Sequence, residues 1–203
     1  MFNIDQRVDI TIGDEIVSVF SNFYKQPSII YESLLNSELK LHKKDTNSFN
    51  GHYFLDYRHT GHIKKLDNII KYFEHFTKQK CTHKDSNIIT NMQKWFVNDF
   101  NDYKKNYWWP HYDSGYTLLI YLNNDNKENG LNLYEGETEY LKQLNEHITP
   151  WQSKKKFKLL RHIDTPFNTA ILFNAKKLLH GCAVNNDINF KNFRLNQAVF
   201  FDE

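Results

Sequence analysis

Cysteine is nearly absent from this chain, with only Cys81 and Cys182 among 203 residues. Two cysteines build neither a disulfide framework nor a classical zinc site, and a reducing, cytoplasmic setting is the simplest expectation. No stretch approaches the roughly 18 apolar residues that span a bilayer. The first residues, Met-Phe-Asn-Ile-Asp-Gln-Arg, lack the apolar core of a signal peptide. Neither a membrane partner nor export is therefore expected. Neither sign of charge dominates, with 26 Lys and Arg against 24 Asp and Glu. That balance gives no electrostatic reason to expect nucleic acid as a partner. Internal repeats and Pro/Gly/Ser-rich linkers are also missing, which favours a single domain over residues 1–203.

What the chain has in quantity is aromatic surface: 16 Phe, 12 Tyr and 4 Trp. Large flat side chains suit a β-rich core and a pocket for a small ligand. Arg7 to Val19 alternates and is rich in Val, Ile and Thr, reading as strands broken at Gly13-Asp14. Pro27 fits the first turn of a helix. From His62 to Thr77, Ile63, Leu66, Ile69, Ile70, Phe73 and Phe76 recur at spacings of three and four, the stripe of a second helix.

Thereafter the pattern changes. Residues 87–97, 116–122, 131–134, 157–163, 169–173, 178–184 and 193–201 all read as strands, most separated by short turn signals such as Asn123-Asn124-Asp125-Asn126. Helices first and many short strands after imply a β-rich α+β fold. The expected core is a double-stranded β-helix (jelly roll) over residues 86–203. Residues 1–85 form a strand-and-helix extension, with its helices packed on one sheet.

A His-x-Asp pair on a strand can grip one metal ion, because residues two apart point to the same face. The pattern occurs three times: His83-Lys84-Asp85, His111-Tyr112-Asp113 and His162-Ile163-Asp164. Alone, each is ordinarily structural or solvated, so context must separate them. A facial triad needs a distant second histidine. His162 has only His180 after it, too close to accommodate intervening strands. His83 would have to use His147, in the polar segment Leu-Asn-Glu-His-Ile-Thr-Pro. His111 has His180, in the strand-like run Lys-Leu-Leu-His-Gly-Cys-Ala-Val.

Two neutral imidazoles and a carboxylate occupy one face of Fe(II) and leave three positions for a bidentate 2-oxo acid and O2. The far carboxylate of such an acid needs a cation, and arginine offers a planar two-pronged donor. Arg194 heads a strand on which Asn196, Ala198 and Phe200 share its face. An inward arginine is costly to bury without an anion.

The residues from Trp108 to Phe201 resemble the 2-oxoglutarate and Fe(II)-dependent oxygenases, in particular the prolyl 4-hydroxylase-like branch. The matching pieces run in order: Pro110-His111-Tyr112-Asp113, Ile120-Tyr121-Leu122-Asn123, Asn129-Gly130-Leu131-Asn132-Leu133-Tyr134, Asn168-Thr169-Ala170-Ile171-Leu172-Phe173, Leu179-His180-Gly181 and Phe193-Arg194-Leu195-Asn196. The resemblance implies that His111, Asp113 and His180 hold the iron. It also implies that Arg194 pairs with the far carboxylate of 2-oxoglutarate, with Tyr121 and Asn196 beside it. Asp113 further implies hydroxylation, since related halogenases lack this carboxylate. Three features depart from the family pattern. Asn129-Gly130 stands where Gly-Gly is usual, the interval from His180 to Arg194 is longer, and the N-terminal half has no counterpart.

The implied activity is hydroxylation of a C–H bond in an amino acid, a peptidyl residue or a small metabolite, with release of succinate and CO2. Two other readings stand beside it. One is a nucleic-acid-acting oxygenase, in which Trp108, Trp109 and the run Lys154-Lys155-Lys156 serve stacking and phosphate contact. The other is a non-catalytic metal-binding jelly-roll module; Arg194 discriminates, because such a module needs no anchor for a 2-oxo acid. Tyr107-Trp108-Trp109-Pro110 reads equally as a substrate wall or a packed aromatic corner. His52, His59 and His62 lie in a loop-like stretch without Cys or Glu partners. The lysine run reads as a solvated face, and Cys182 as a packing residue.

Overall fold

A computed structural model describes residues 2–36, 40–41, 54–60, 67–81, 89–95, 102–123, 127–136 and 151–202. The strands are β1 (Arg7–Ile12), β2 (Glu15–Phe20), β3 (Lys40–Leu41), β4 (Phe54–Thr60), β5 (Lys80–Cys81), β6 (Ile89–Trp95), β7 (Asn106–Trp108), β8 (Tyr116–Tyr121), β9 (Leu131–Glu135), β10 (Trp151–Ser153), β11 (Lys158–Ile163), β12 (Thr169–Asn174), β13 (Leu179–Cys182) and β14 (Arg194–Asp202). Among the described residues four α-helices accompany them: α1 (Pro27–Leu35), α2 (Asp67–Thr77), α3 (Asp102–Lys105) and α4 (Ile188–Lys191).

Nine of these described strands form one sheet in the order β1-β2-β12-β8-β14-β6-β4-β3, with β5 also paired to β14. A second sheet has the order β11-β9-β13, and β10 pairs with β7. The pairings are antiparallel. Neighbours in the large sheet come from distant parts of the chain. Thus β14 lies between β8 and β6, and the N-terminal hairpin joins through β2 to β12.

Alternation along the central strands explains how one sheet serves two layers. On β8 and just beyond it, Leu118, Ile120 and Leu122 join Ala170, Leu172, Val199 and Phe201 in a cluster that also takes Leu34 of α1 and Ile69, Ile70 and Phe73 of α2. The two longer helices therefore cover one face of the large sheet. On the opposite face, Tyr121, Ile171 and Phe173 pack against Leu131, Leu133 and Ile163 of the smaller sheet. Strands buried on both faces read as nearly continuous apolar runs, as Thr-Ala-Ile-Leu-Phe-Asn does in β12, where all six residues are buried.

Local signals account for the element ends that the sequence marks. Gly13 turns the β1–β2 hairpin with φ +58°, a conformation open to glycine at little cost. Pro27 sits in the first turn of α1. Helix α2 buries Ile69, Ile70 and Phe73 along one stripe and carries Asp67 in its first turn, where a carboxylate suits the helix dipole. The expected start of this helix at His62 lies outside the described residues, as do the expected ends of the strand over 87–97. One expectation is corrected. The setting of His59 is not a loop, because Phe54–Thr60 is a strand paired along its length with β6. Its sequence, Phe-Leu-Asp-Tyr-Arg-His-Thr, has no clean apolar alternation, and pairing with a distant strand overrides that weak local pattern. Strands β7 and β10, three residues each, are too short to show any period.

Candidate metal centre

The chain leaves β7 through Trp109 and Pro110 and brings His111 alongside β13. His111 and His180 exchange both backbone hydrogen bonds, His111 N to His180 O at 2.8 Å and His180 N to His111 O at 2.9 Å. Sixty-nine positions of sequence are thus closed by a single β-bridge, and the two imidazole centroids lie 4.3 Å apart. Asp113 is tied separately, its N–H donating to Ala175 O at 3.0 Å. Backbone contacts of this kind place the three side chains before any ligand is considered.

His111 Nε2 lies 3.8 Å from Asp113 Oδ1, and His180 Nε2 lies 3.4 Å from Asp113 Oδ2. One ligand atom from each residue falls within 4.8 Å of the others, and no further His, Cys, Asp or Glu trio of this kind occurs among the described residues. His180 is buried. His111 and Asp113 are partly open, with side-chain exposures of 25% and 21%.

The second ring nitrogens decide what this trio can hold. His111 Nδ1 lies 2.7 Å from Trp109 O and His180 Nδ1 lies 3.1 Å from Leu178 O. A carbonyl oxygen only accepts, so both Nδ1 atoms carry the proton and donate it. Each ring then directs its Nε2 at the carboxylate, as a lone pair when the ring is neutral and as an N–H when it is protonated. Three acceptors facing one another are stable only with positive charge between them, either a proton on an imidazole or a metal ion. Burial raises the Asp113 carboxyl pKa. The hydrogen bond and charge of His180, the charge of His111 and a hydrogen bond from Thr117 outweigh that burial and hold it well below the usual carboxylate range. Thr117 Oγ1 donates to Asp113 Oδ2 at 2.9 Å, and the Phe173 ring meets His180 edge-on at 4.8 Å.

A cavity of about 230 Å³ opens from this trio between the two sheets. Thr117, Leu119 and Tyr121 line it from β8, and Arg194, Asn196, Ala198 and Phe200 from β14. They stand at alternate positions in cross-strand register, Asn196 opposite Tyr121 and Phe200 opposite Thr117. Thr117 and Tyr121 are four residues apart, about 13 Å along a strand. Thr117 marks the end with the His-Asp-His trio, and Tyr121, Asn196 and Arg194 gather at the other.

Arg194 is only 6% exposed. Its guanidinium lies 5.2 Å from the Tyr121 ring centroid, and Nη1 donates to Asn196 Oδ1 at 3.3 Å. Burial pushes the Tyr121 phenol up to about 12 despite the nearby guanidinium, so it stays a neutral donor. Burial likewise raises the Cys182 thiol, with Arg194 opposing the shift.

All six expected site residues, His111, Asp113, His180, Tyr121, Arg194 and Asn196, thus line one cavity. The rival His162 instead bonds Asn132 Oδ1 at 2.8 Å and its own Asp164 at 3.0 Å. The pair at His83 and Asp85, together with His147, His52 and His62, lies outside the described residues. Trp108 and Trp109 both line the cavity, and Trp108 also packs edge-on against Trp151 at 4.9 Å. The wall and packed-corner readings of this segment are therefore compatible. The lysine run forms a 3-10 turn capped by Ser153. Lys155 and Lys156 are exposed as expected, whereas the Lys154 ammonium lies 5.0 Å from the Tyr107 ring centroid.

Thr117 and the carbonyls of Trp109 and Leu178 escaped the sequence reading, and Gly181 entered it only within Leu179-His180-Gly181, without a role of its own. Threonine is an ordinary strand residue, and carbonyls leave no sequence mark. The glycine directly after His180 in an apolar strand was a readable signal. The sequence matches no protein-family model and no curated protein.

Proposed function

We propose that this protein is an Fe(II)- and 2-oxoglutarate-dependent dioxygenase built on a double-stranded β-helix core. The observation that carries the reading is one cavity with a His-Asp-His trio at one end and a buried arginine at the other. The strand orders β6-β14-β8-β12 and β11-β9-β13, with His111 bridged to β13, support the jelly-roll assignment. Neither cysteine forms a disulfide, which suits a cytoplasmic setting. No helix among the described residues is long and apolar enough to cross a membrane.

The donor set fits a divalent iron ion: two neutral imidazoles with committed Nδ1 protons and one carboxylate, on one side of the site. When bound, iron with 2-oxoglutarate and O2 supplies the oxidising chemistry that converts a substrate C–H bond to C–OH, releasing succinate and CO2. The protein's residues bind, orient and shield. Arg194 holds the far carboxylate of 2-oxoglutarate through its planar fork, Tyr121 donates its phenolic proton beside it, and Asn196 steadies the guanidinium. Thr117 keeps the Asp113 carboxylate from rotating. Leu119 and Ala198 line the wall between the two ends and Phe200 the wall beside Thr117, apolar surface that excludes water and strengthens the polar contacts within. The substrate is a small molecule or a peptidyl residue, and near-neutral net charge weighs against nucleic acid.

The test is succinate release and oxygen uptake with Fe(II), 2-oxoglutarate and a panel of amino acids, peptides and small metabolites. His180→Ala and Asp113→Ala should lose iron and turnover while circular dichroism is unchanged. His162→Ala should keep its iron. Full turnover in either trio variant refutes the ligand assignment, and failure of the intact protein to bind 2-oxoglutarate favours a non-catalytic metal-binding module.

A further inference from the structure

We propose that Trp109 and Gly181 form a positioning device that fixes which nitrogen of His111 faces the metal site; the inference rests on the metal-centre reading above. Trp109 has φ +46°, a left-handed conformation that a bulky side chain rarely adopts. Such outliers persist only where their surroundings impose them, and they gather at functional sites. Pro110 follows and disfavours the right-handed helical alternative at residue 109. In the observed conformation the Trp109 carbonyl receives the His111 Nδ1 proton at 2.7 Å.

The carbonyl lies close against β13. A Cβ on residue 181 would stand 2.7 Å from Trp108 O and 3.0 Å from Trp109 O. The strand bearing His180 therefore reaches the segment bearing His111 only because Gly181 has no side chain. This close approach belongs to the same stretch that carries the His111–His180 bridge. One glycine thus sets both the spacing of the two imidazoles and the direction of the carbonyl that orients one of them.

The consequence is chemical. With the carbonyl in place, His111 keeps its proton on Nδ1 and its lone pair on Nε2, ready to ligate. With the carbonyl displaced, the ring is free to carry its proton on Nε2, which cannot ligate until it changes tautomer. Trp109 and Gly181 are positioning residues, since both act through His111.

The experiment compares Gly181→Ala, Trp109→Ala and Trp109→Gly with the wild-type chain. Two readouts are taken at a pH high enough that the ring-nitrogen shifts in the same spectra report a neutral His111. One is the His111 tautomer in metal-free protein, from long-range proton–nitrogen NMR. The other is Co(II) affinity, from its visible absorption. Gly181→Ala should show a mixed tautomer and Co(II) binding weaker by about 10-fold or more, the usual effect of removing an outer-sphere partner. Glycine adopts a left-handed backbone freely and alanine does not. Trp109→Gly should therefore bind Co(II) about five-fold more tightly than Trp109→Ala, although both lack the indole. Wild-type tautomer and affinity in a folded Gly181→Ala protein overturn the proposal, as does equal affinity in the two Trp109 variants. Should Gly181→Ala fail to fold, the Trp109 pair decides. Should the wild-type chain bind no Co(II), the metal-centre reading falls instead, and the tautomer in metal-free protein still decides this one.

Discussion

Replacing Arg194 with alanine is expected to weaken 2-oxoglutarate binding by about 30-fold or more while leaving metal content nearly unchanged. Arg194 is 6% exposed at the head of β14. Tyr121 lies 5.2 Å beneath it and Asn196 Oδ1 accepts from Nη1 at 3.3 Å. On the proposed reading, the far carboxylate of 2-oxoglutarate would meet this guanidinium where it lines the cavity, in a partly desolvated place. Truncating one partner of such a pair leaves the other buried and unpaired, at a cost of roughly 2–5 kcal/mol. The lower bound alone corresponds to about 30-fold, since each 1.4 kcal/mol is tenfold.

Arg194→Lys keeps the charge but loses the fork, so its affinity should fall between wild type and Arg194→Ala. The assay is calorimetric titration of 2-oxoglutarate into anaerobic protein loaded with Fe(II) or Mn(II). Metal content is measured separately, because Arg194 stands at the opposite end of the cavity from the trio. Unchanged 2-oxoglutarate affinity in Arg194→Ala would show that the anchor lies elsewhere. Loss of metal together with 2-oxoglutarate would mean that the two ends of the cavity are not independent.

Three further outcomes follow from the same geometry. Thr117→Val removes the hydroxyl that donates to Asp113 Oδ2 while keeping the shape, and should weaken Mn(II) binding by about 10- to 100-fold; an unchanged calorimetric affinity would leave Thr117 a packing residue. The Asp113 carboxyl is held below its usual value of 3.8, against burial, by His180, His111 and Thr117. A depressed folded pKa stabilises the fold above the unfolded value. Metal-free protein should therefore lose stability as pH falls below about 4. Urea midpoints across that range should show a shallower loss in Asp113→Asn, and identical slopes would remove Asp113 from the acid response. Phe73 is fully buried where α2 meets the large sheet, with Phe20 at 5.8 Å and Phe201 at 6.4 Å between centroids. Phe73→Ala should cost about 3–5 kcal/mol in urea unfolding, and a loss under about 1 kcal/mol would mean that the helix layer contributes little to the fold.

Much of the core was legible because short-range rules decide it. The apolar runs in 116–122 and 169–173, the Gly13-Asp14 turn, Pro27 at a helix start and the stripe through Ile69, Ile70 and Phe73 all follow from residue type, side-chain period and backbone restriction. The His111–Asp113 pair could be singled out from its two rivals by the company it keeps along the chain. His180 in an apolar run and Arg194 on the cavity-facing side of its strand are likewise features of order and period, which survive in one dimension.

What the chain could not display is the set of contacts between residues far apart in sequence. Strand β4 exists through its pairing with β6, and the three-residue strands β7 and β10 through pairing with each other. None carries a period of its own. Which imidazole nitrogen faces the centre depends on two carbonyls, which every residue possesses and no sequence marks. That Thr117 serves Asp113, and that residue 181 must lack a side chain, become visible only when β8, β13 and the Trp109 turn are brought within a few ångströms of one another. Side-chain chemistry and period are properties of the chain. Approach, tautomer and outer-sphere support are properties of the packed structure, because they depend on distances that only folding creates.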